Sequence, residues 1–177
     1  MLNWIETTRQ EFERYRLLAE RSFLQVNDDE FFRTSGAESN SIAVIAKHIG
    51  GNLRSRWTDF LTSDGEKPDR DRDSEFIAQS DRQEILRIWN RGWSAVIGTL
   101  ETLQPADLEK TVTIRSEPHT VPQALQRSLS HTAYHVGQIV TLARQFRGSE
   151  WQTLSVPRGG STANLGAMRA KFNPRAC

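Results

Sequence analysis

Apolar residues recur at three- and four-residue steps in four long segments of this chain, the spacing of amphipathic helices. In the third segment, for example, Ile85, Trp89, Trp93, Val96 and Leu100 follow one helical stripe. The pattern predicts four helices, which cover about residues 2–26, 41–62, 81–103 and 121–147. Because each helix has an apolar stripe to bury, the sequence predicts an all-α four-helix bundle.

Two capping boxes predict where the third and fourth helices begin. Ser80 with Gln83, and Thr120 with Gln123, have the spacing at which a side chain and a backbone N–H cap each other. Pro122 falls in the first turn of the fourth helix, where a missing N–H is tolerated.

The connections between the helices differ in character. Residues 63–79 are charged and contain Gly and Pro, which predicts a long, solvated crossover loop and an up-down-down-up helix order. Residues 111–115 alternate and are followed by a turn, so a short hairpin is expected before the fourth helix. We expect the bundle to occupy residues 1–150, with residues 151–177 as an extended C-terminal tail packed on it.

Composition and charge exclude several classes of protein. The 23 Lys and Arg residues nearly balance the 22 Asp and Glu residues, which argues against a nucleic-acid partner. The longest clean apolar run, residues 42–46, is too short to cross a membrane. With no visible signal sequence and a single cysteine, Cys177, we expect a cytoplasmic protein without an intramolecular disulfide.

Three of the four histidines have a placement that suits metal binding. His131 and His135 lie four residues apart on the fourth helix, so their rings project from one face beside the apolar stripe. His48 lies next to the apolar stripe of the second helix. If these helices face each other, three imidazoles can bind one ion such as Zn or Ni and leave a position open for water or substrate.

Structural explanations of the same residues remain open at this point. A histidine at the edge of a core is often only hydrogen-bonded to a neighbour, and His119 is expected in a solvated loop. Gly50 and Gly51, inside the second helix, permit either close helix packing or open space beside His48. Arg70 and Arg72 could bind an anion, although a solvated loop is the simpler interpretation.

The sequence resembles the DinB-like, or YfiT-like, family of metal-binding bundles over nearly its whole length. The resemblance is carried by the segments 48–57 and 64–67, by the segment 131–138 with its H-x-x-x-H spacing, and by the tail segment 154–161. The resemblance implies a four-helix bundle that holds one metal through His48, His131 and His135. Spacing alone leads to the same three residues.

The activity that the resemblance implies is less uniform than the fold. Some members resemble thiol-dependent S-transferases, in which a metal activates a low-molecular-weight thiol, and others are described as metal-dependent hydrolases. We therefore expect a metal-dependent enzyme that directs a thiol or water at a small electrophilic substrate. The alternative is a non-catalytic metal-dependent binding or stress-response protein, and a homodimer is compatible with the family.

Residues near the three histidines are candidates for supporting roles, whereas no catalytic residue can be assigned from the sequence. Asn52 and Gln138 lie one turn beyond His48 and near His135, which suits contact with a ligand histidine or with substrate. Arg56 and Tyr134 are further candidates.

Overall fold

The computed structural model describes residues 4–77 and 80–173, which are mostly helical. The six α-helices in this part of the chain are α1 (Trp4–Phe23), α2 (Asp28–Phe32), α3 (Ile42–Trp57), α4 (Arg82–Thr102), α5 (Val121–Arg147) and α6 (Ser161–Phe172). Short 3-10 helices cover Asp73–Phe76, Pro105–Glu109 and Gly148–Glu150. The all-α prediction is confirmed at this level, and no helix in the described ranges could span a membrane.

Four of the helices are long and pack around a shared core. α3 packs against α4 and α5, and α1 packs against α5 and α4. Phe12 of α1 contacts both Trp57 of α3 and Trp93 of α4 edge to face, with ring centroids 5.6 and 6.2 Å apart. All three side chains are at most 2% exposed, so aromatic packing in the core fixes how these helices meet.

Contacts along α3 and α4 show that these two helices run parallel. Gly50 of α3 packs against Ile88 and Gly92 of α4, and farther along both helices the Thr99 hydroxyl donates to the Trp57 carbonyl over 2.9 Å. A parallel pair requires a long connection, and residues 58–81 supply it.

The helix starts follow local capping chemistry, with one correction. The box of Thr120 and Gln123 caps α5 as predicted. The expected box of Ser80 and Gln83 is wrong, because Asp81 is the N-cap of α4 and its carboxylate accepts the N–H groups of Gln83 and Glu84. A carboxylate caps the positive end of a helix at least as well as a hydroxyl does, which explains the one-residue difference.

The hairpin before α5 is confirmed. β1 (Thr111–Ile114) pairs antiparallel with β2 (Glu117–Thr120), with Thr111 opposite Thr120 and Ile114 opposite Glu117. Val112 and Ile114 are buried, so one face of β1 packs on the helices. His119, expected in a loop, lies on β2 and contacts Arg127 of α5.

The C-terminal segment differs from the extended tail that was expected. Residues 152–154 lie against the end of α1: Gln25, two residues after the helix, exchanges two hydrogen bonds with the Gln152 backbone at 2.7 and 3.0 Å, and Arg21 of α1 donates to the Leu154 carbonyl over 3.3 Å. Ser161–Phe172 then forms α6, whose side chains are all exposed. The segment contains strong helix formers such as Ala, Leu, Met, Arg and Lys, which favour a helix at these positions. Cys177 lies outside the described residues.

Candidate metal centre

α3 and α5 bring the three histidines together. His131 and His135, one turn apart on α5, have ring centroids 4.5 Å from each other. The His48 ring of α3 lies 5.2 Å from the first and 4.9 Å from the second. One nitrogen from each ring can be chosen so that all three lie within 4.8 Å of one another. The predicted juxtaposition of the second and fourth long helices is therefore present.

Hydrogen bonds fix the tautomers of two of these rings. His48 Nδ1 lies 2.8 Å from a carboxylate oxygen of Glu75, and His135 Nδ1 lies 2.8 Å from the side-chain oxygen of Gln138. Both oxygens accept, so both Nδ1 atoms carry the proton and donate it. The Nε2 atoms of His48 and His135 are therefore free of protons in the neutral rings, which is the form that binds a metal.

The spacing of the nitrogens fits one metal ion. His48 Nε2 and His131 Nε2 lie 3.2 Å apart. Two nitrogens bound tetrahedrally at Zn–N distances of about 2.05 Å would be separated by about 3.3 Å. Three imidazoles, two of them with oriented Nδ1 donors, could hold one metal ion and would leave part of a four-coordinate sphere to another ligand. The three histidines could therefore form a metal site, as their spacing predicted.

Glu75, which sequence reasoning missed, is the residue that orients His48. It lies in the 3-10 helix Asp73–Phe76, inside the segment predicted as a solvated loop, and only 5% of it is exposed. Arg70 contacts both of its carboxylate oxygens, at 2.8 and 2.9 Å. Burial alone would raise the pKa of Glu75, but the hydrogen bonds from His48 and Arg70 lower it below its usual range. Glu75 is therefore an ionised, buried acceptor.

The loop prediction is accordingly wrong for its second half. Both the Arg70 and the Glu75 side chains are almost fully buried, and the 3-10 helix packs on α3. Polar composition favours a solvated loop, but a charged residue can be buried when its partner is buried with it. Arg70 is occupied by Glu75 and Glu66, so it is no longer a candidate for binding an external anion.

The two glycines beside His48 serve different contacts. A Cβ on Gly50 would lie 2.7 Å from the Ile88 carbonyl oxygen, so this glycine permits the close approach of α4. A Cβ on Gly51 would instead collide with the Glu75 carboxylate, with the Cδ atom only 2.9 Å away. Gly50 therefore permits close helix packing, and Gly51 leaves space beside His48 for the Glu75 side chain. These are the two explanations that the sequence left open.

Burial keeps the α5 histidines neutral. Loss of hydration, reinforced by the neighbouring His135 and His48 rings, lowers the pKa of His131 to about 3. Burial also lowers the pKa of His135, which the hydrogen bond to Gln138 opposes only in part. Neutral imidazoles are the ligating form, so this environment favours metal binding over protonation near neutral pH.

A cavity of about 220 Å³ adjoins His48 and His131. Asn52 and Arg56, both predicted as supporting residues, lie in its wall. Asn52 is 8% exposed, and Arg56 contacts the Gly65 carbonyl and the Glu66 carboxylate. A small molecule in this cavity could contact the histidine cluster at His48 and His131.

The other two predicted supporting residues lie on the opposite side of the cluster. Gln138 orients His135, as described above, and its amide nitrogen donates to the Tyr134 hydroxyl over 3.1 Å. Tyr134 is 64% exposed and does not line the cavity beside His48. His119 lies apart from the three-histidine cluster, which agrees with its expected place outside the site.

Together these features define a helical protein with a partly buried three-histidine cluster beside a cavity. A family model described as "protein of unknown function (DUF1572)" matches residues 1–160. Because this match covers most of the chain, the protein belongs to that family, which is one of the DinB-like families. No curated protein and no solved structure matches the chain.

Proposed function

We propose that α1, α3, α4 and α5 form a four-helix bundle of the up-down-down-up type and that this bundle holds a single metal centre. The parallel run of α3 and α4, the long connection between them and the shared aromatic core support this architecture. In such bundles, metal sites are built from side chains that project inward from facing helices. α3 and α5 are the facing pair here.

His48, His131 and His135 are the proposed ligands of one divalent ion, Zn or Ni. The observation that carries this proposal is the pair of oriented rings: His48 and His135 each donate Nδ1–H to a fixed oxygen and direct a bare Nε2 into one cluster. Histidines that only support a core have no need for two oriented rings beside a third. Glu75 and Gln138 keep the rings in the binding tautomer.

The protein is proposed to be a metal-dependent enzyme that directs a thiol or water at a small electrophilic substrate. The bound ion would supply Lewis acidity and a lowered pKa for the attacking group. The chain contributes the cavity beside His48 and His131, where Asn52 offers both a donor and an acceptor to a substrate. A purely structural or storage site would not need an internal cavity at its ligands, which favours the enzyme over a non-catalytic binding protein.

Cobalt substitution tests this function directly. Co²⁺-loaded protein is titrated with 2-mercaptoethanol, and the visible and near-ultraviolet absorption is recorded. If a ligand position is open, the thiol adds a sulfur-to-cobalt charge-transfer absorption and shifts the visible bands. His119→Ala serves as the control and should respond as the wild type does, whereas His131→Ala should lose the cobalt spectrum. Bands that do not respond to thiol or to pH would indicate a closed site and favour the non-catalytic alternative.

A further inference from the structure

The cavity beside the histidine cluster is lined with arginine. Arg56, Arg72, Arg115 and Arg127 all contribute to its wall, and the lining contains no Asp or Glu among the residues that the structure describes. These arginines come from four separate places: α3, the connection after it, the hairpin turn and α5. The fold therefore gathers positive charge at this cavity from elements that are distant in sequence.

The carboxylates near the cavity do not balance these arginines. Glu66 contacts Arg56 at 3.2 Å, Arg70 at 3.1 Å and Arg115 at 2.9 Å. Arg70 is neutralised by its two-pronged contact with Glu75. Among the described residues, Glu66 is therefore the one carboxylate that forms ion pairs with the cavity arginines Arg56 and Arg115.

The two remaining arginines lie at the mouth of the cavity. Arg127 contacts Glu117 at 3.2 Å, and the Glu117 side chain is 65% exposed. Arg72 is exposed, and its guanidinium lies 5.9 Å from the centroid of the Phe76 ring. Within residues 4–77 and 80–173, no carboxylate forms an ion pair with Arg72. Its donors are available to a ligand at the entrance.

The backbone at Arg115 is held in an unusual conformation next to the cavity. Arg115 and Ser116 have φ angles of 55° and 63°, in the left-handed region that non-glycine residues rarely adopt. The Asp64 carboxylate accepts the N–H groups of both residues at 2.8 Å and holds the turn. Positive φ angles at both central residues are what a two-residue hairpin turn between β1 and β2 requires, and Arg115 in this turn contributes to the cavity wall.

We propose that this cavity binds an anionic group of the substrate, a carboxylate or a phosphate, and thereby positions the rest of the molecule against the histidine cluster. Guanidinium groups recognise both anions through paired, charge-assisted hydrogen bonds. The volume of about 220 Å³ lies below the range typical of drug-sized ligands, so it limits the ligand to a small anion. The inference rests on the proposed function, because it names the substrate class of the same site.

Calorimetric titration of the full, metal-loaded chain tests the proposal with three probes of similar size. Succinate and inorganic phosphate carry the anionic groups, and succinamide is the neutral match of succinate. We expect at least one of the two anions to bind at least about tenfold more tightly than succinamide, and the stronger of the two identifies which anion the arginines select. Equal binding of all three probes, or no binding of either anion, would overturn the proposal.

Two double arginine variants show whether this cavity is responsible for anion binding. The double variant Arg72→Gln/Arg127→Gln removes two charges at the cavity mouth and should weaken anion binding at least about tenfold. The double variant Arg14→Gln/Arg87→Gln removes two exposed charges on α1 and α4 that do not line the cavity, and it should bind as the wild type does. An equal loss in both double variants would show that net charge, and not this cavity, attracts the anion.

The metal content of the same samples distinguishes a failure of the proposed anion site from a failure of the proposed metal-dependent function. Bound metal without any preference for anions would overturn the anion site and leave the metal centre in place. Arginine-dependent anion binding by a chain that takes up no metal would support the anion site and overturn the metal-dependent function.

Discussion

The Glu75 carboxylate lies 2.8 Å from Nδ1 of His48, and this contact links the connection between α3 and α4 to the histidine cluster. Glu75 also pairs with Arg70, so the ring of one proposed ligand is held by a buried charge pair. A buried, ionised acceptor fixes the tautomer and the orientation of the imidazole.

Substitution of Glu75 should therefore weaken metal binding although Glu75 is not itself a proposed ligand. Glu75→Gln keeps an oxygen that accepts from His48 but loses the charge, so we expect a loss of metal affinity near tenfold. Glu75→Ala removes the acceptor, and the loss should approach about a hundredfold, the upper end for such partners. Competition with a chromophoric chelator measures both values.

A matched control for this prediction is Glu84→Gln on the exposed side of α4, where the carboxylate contacts Arg87 and Arg91. Its affinity should equal that of the wild type. If both Glu75 variants are folded and bind metal as tightly as the wild type, Glu75 does not support the site.

The neighbouring glycines should respond differently to alanine. Gly50→Ala forces a methyl group against the Ile88 backbone, which cannot move aside, so we expect the free energy of unfolding to fall by about 1–3 kcal/mol. Gly51→Ala meets the Glu75 side chain, which can move, so metal affinity should fall more than stability does. Urea unfolding and chelator competition give the two quantities.

Gly98→Ala is the control for both glycine variants, because a Cβ there meets open space on α4. It should stabilise the protein by up to about 1 kcal/mol through helix propensity and leave metal affinity unchanged. A Gly51→Ala protein with normal metal affinity would contradict the role assigned to this glycine.

The stability of the metal-free protein should fall as the pH is lowered. The pKa of His131 is about 3 in the folded protein, whereas the unfolded chain has a pKa of about 6.5. Between these values the unfolded state binds a proton that the folded state does not, so acid favours unfolding and stability rises with pH. Burial lowers the pKa of His135 in the same direction.

Urea unfolding of the metal-free protein at pH 7 and pH 5 tests whether stability falls as the pH is lowered. We expect a lower midpoint at pH 5, a smaller difference in His131→Gln, and an unchanged difference in His119→Gln. Equal wild-type midpoints at the two pH values would show that the histidine cluster accepts protons as readily as the unfolded chain does.

Removal of the metal should lower the melting temperature and leave the fold intact. The core around Phe12, Trp57 and Trp93 does not depend on the histidines, so it should persist in the apo form. Binding to the native state should add about 4 kcal/mol when free metal is a thousandfold above the dissociation constant. Far-ultraviolet circular dichroism before and after chelation measures both effects, and collapse of the helical signal at room temperature would make the metal a structural requirement.

The long helices and the three histidines could be predicted because their signals are periodic and local. His131 and His135 share a helix face by spacing alone, and His48 needed only the packing of α3 against α5. The short helix α2 was missed, although Asn27 and Glu30 form a capping box at its start. Five residues are too few to show a helical period.

Glu75 could not be found in this way, because its role depends on a tertiary contact and not on a repeat. Its segment contains alternating charges that resemble a solvated loop, and only the fold shows that Arg70 and Glu75 are buried together. One signal was available: a metal-binding histidine usually donates its second N–H to a carboxylate or carbonyl. A search for a partner of His48 would have pointed to the acids of the adjoining loop.

Metal stoichiometry tests the central claim most directly. Protein purified without chelators is analysed by inductively coupled plasma mass spectrometry, alongside the single variants His48→Ala, His131→Ala, His135→Ala and His119→Ala. We predict about one divalent ion per chain in the wild type and in His119→Ala, and a strong loss in each of the other three. Full occupancy in folded His48→Ala, or no uptake by the wild type after incubation with Zn²⁺ or Ni²⁺, would contradict the three-histidine metal centre.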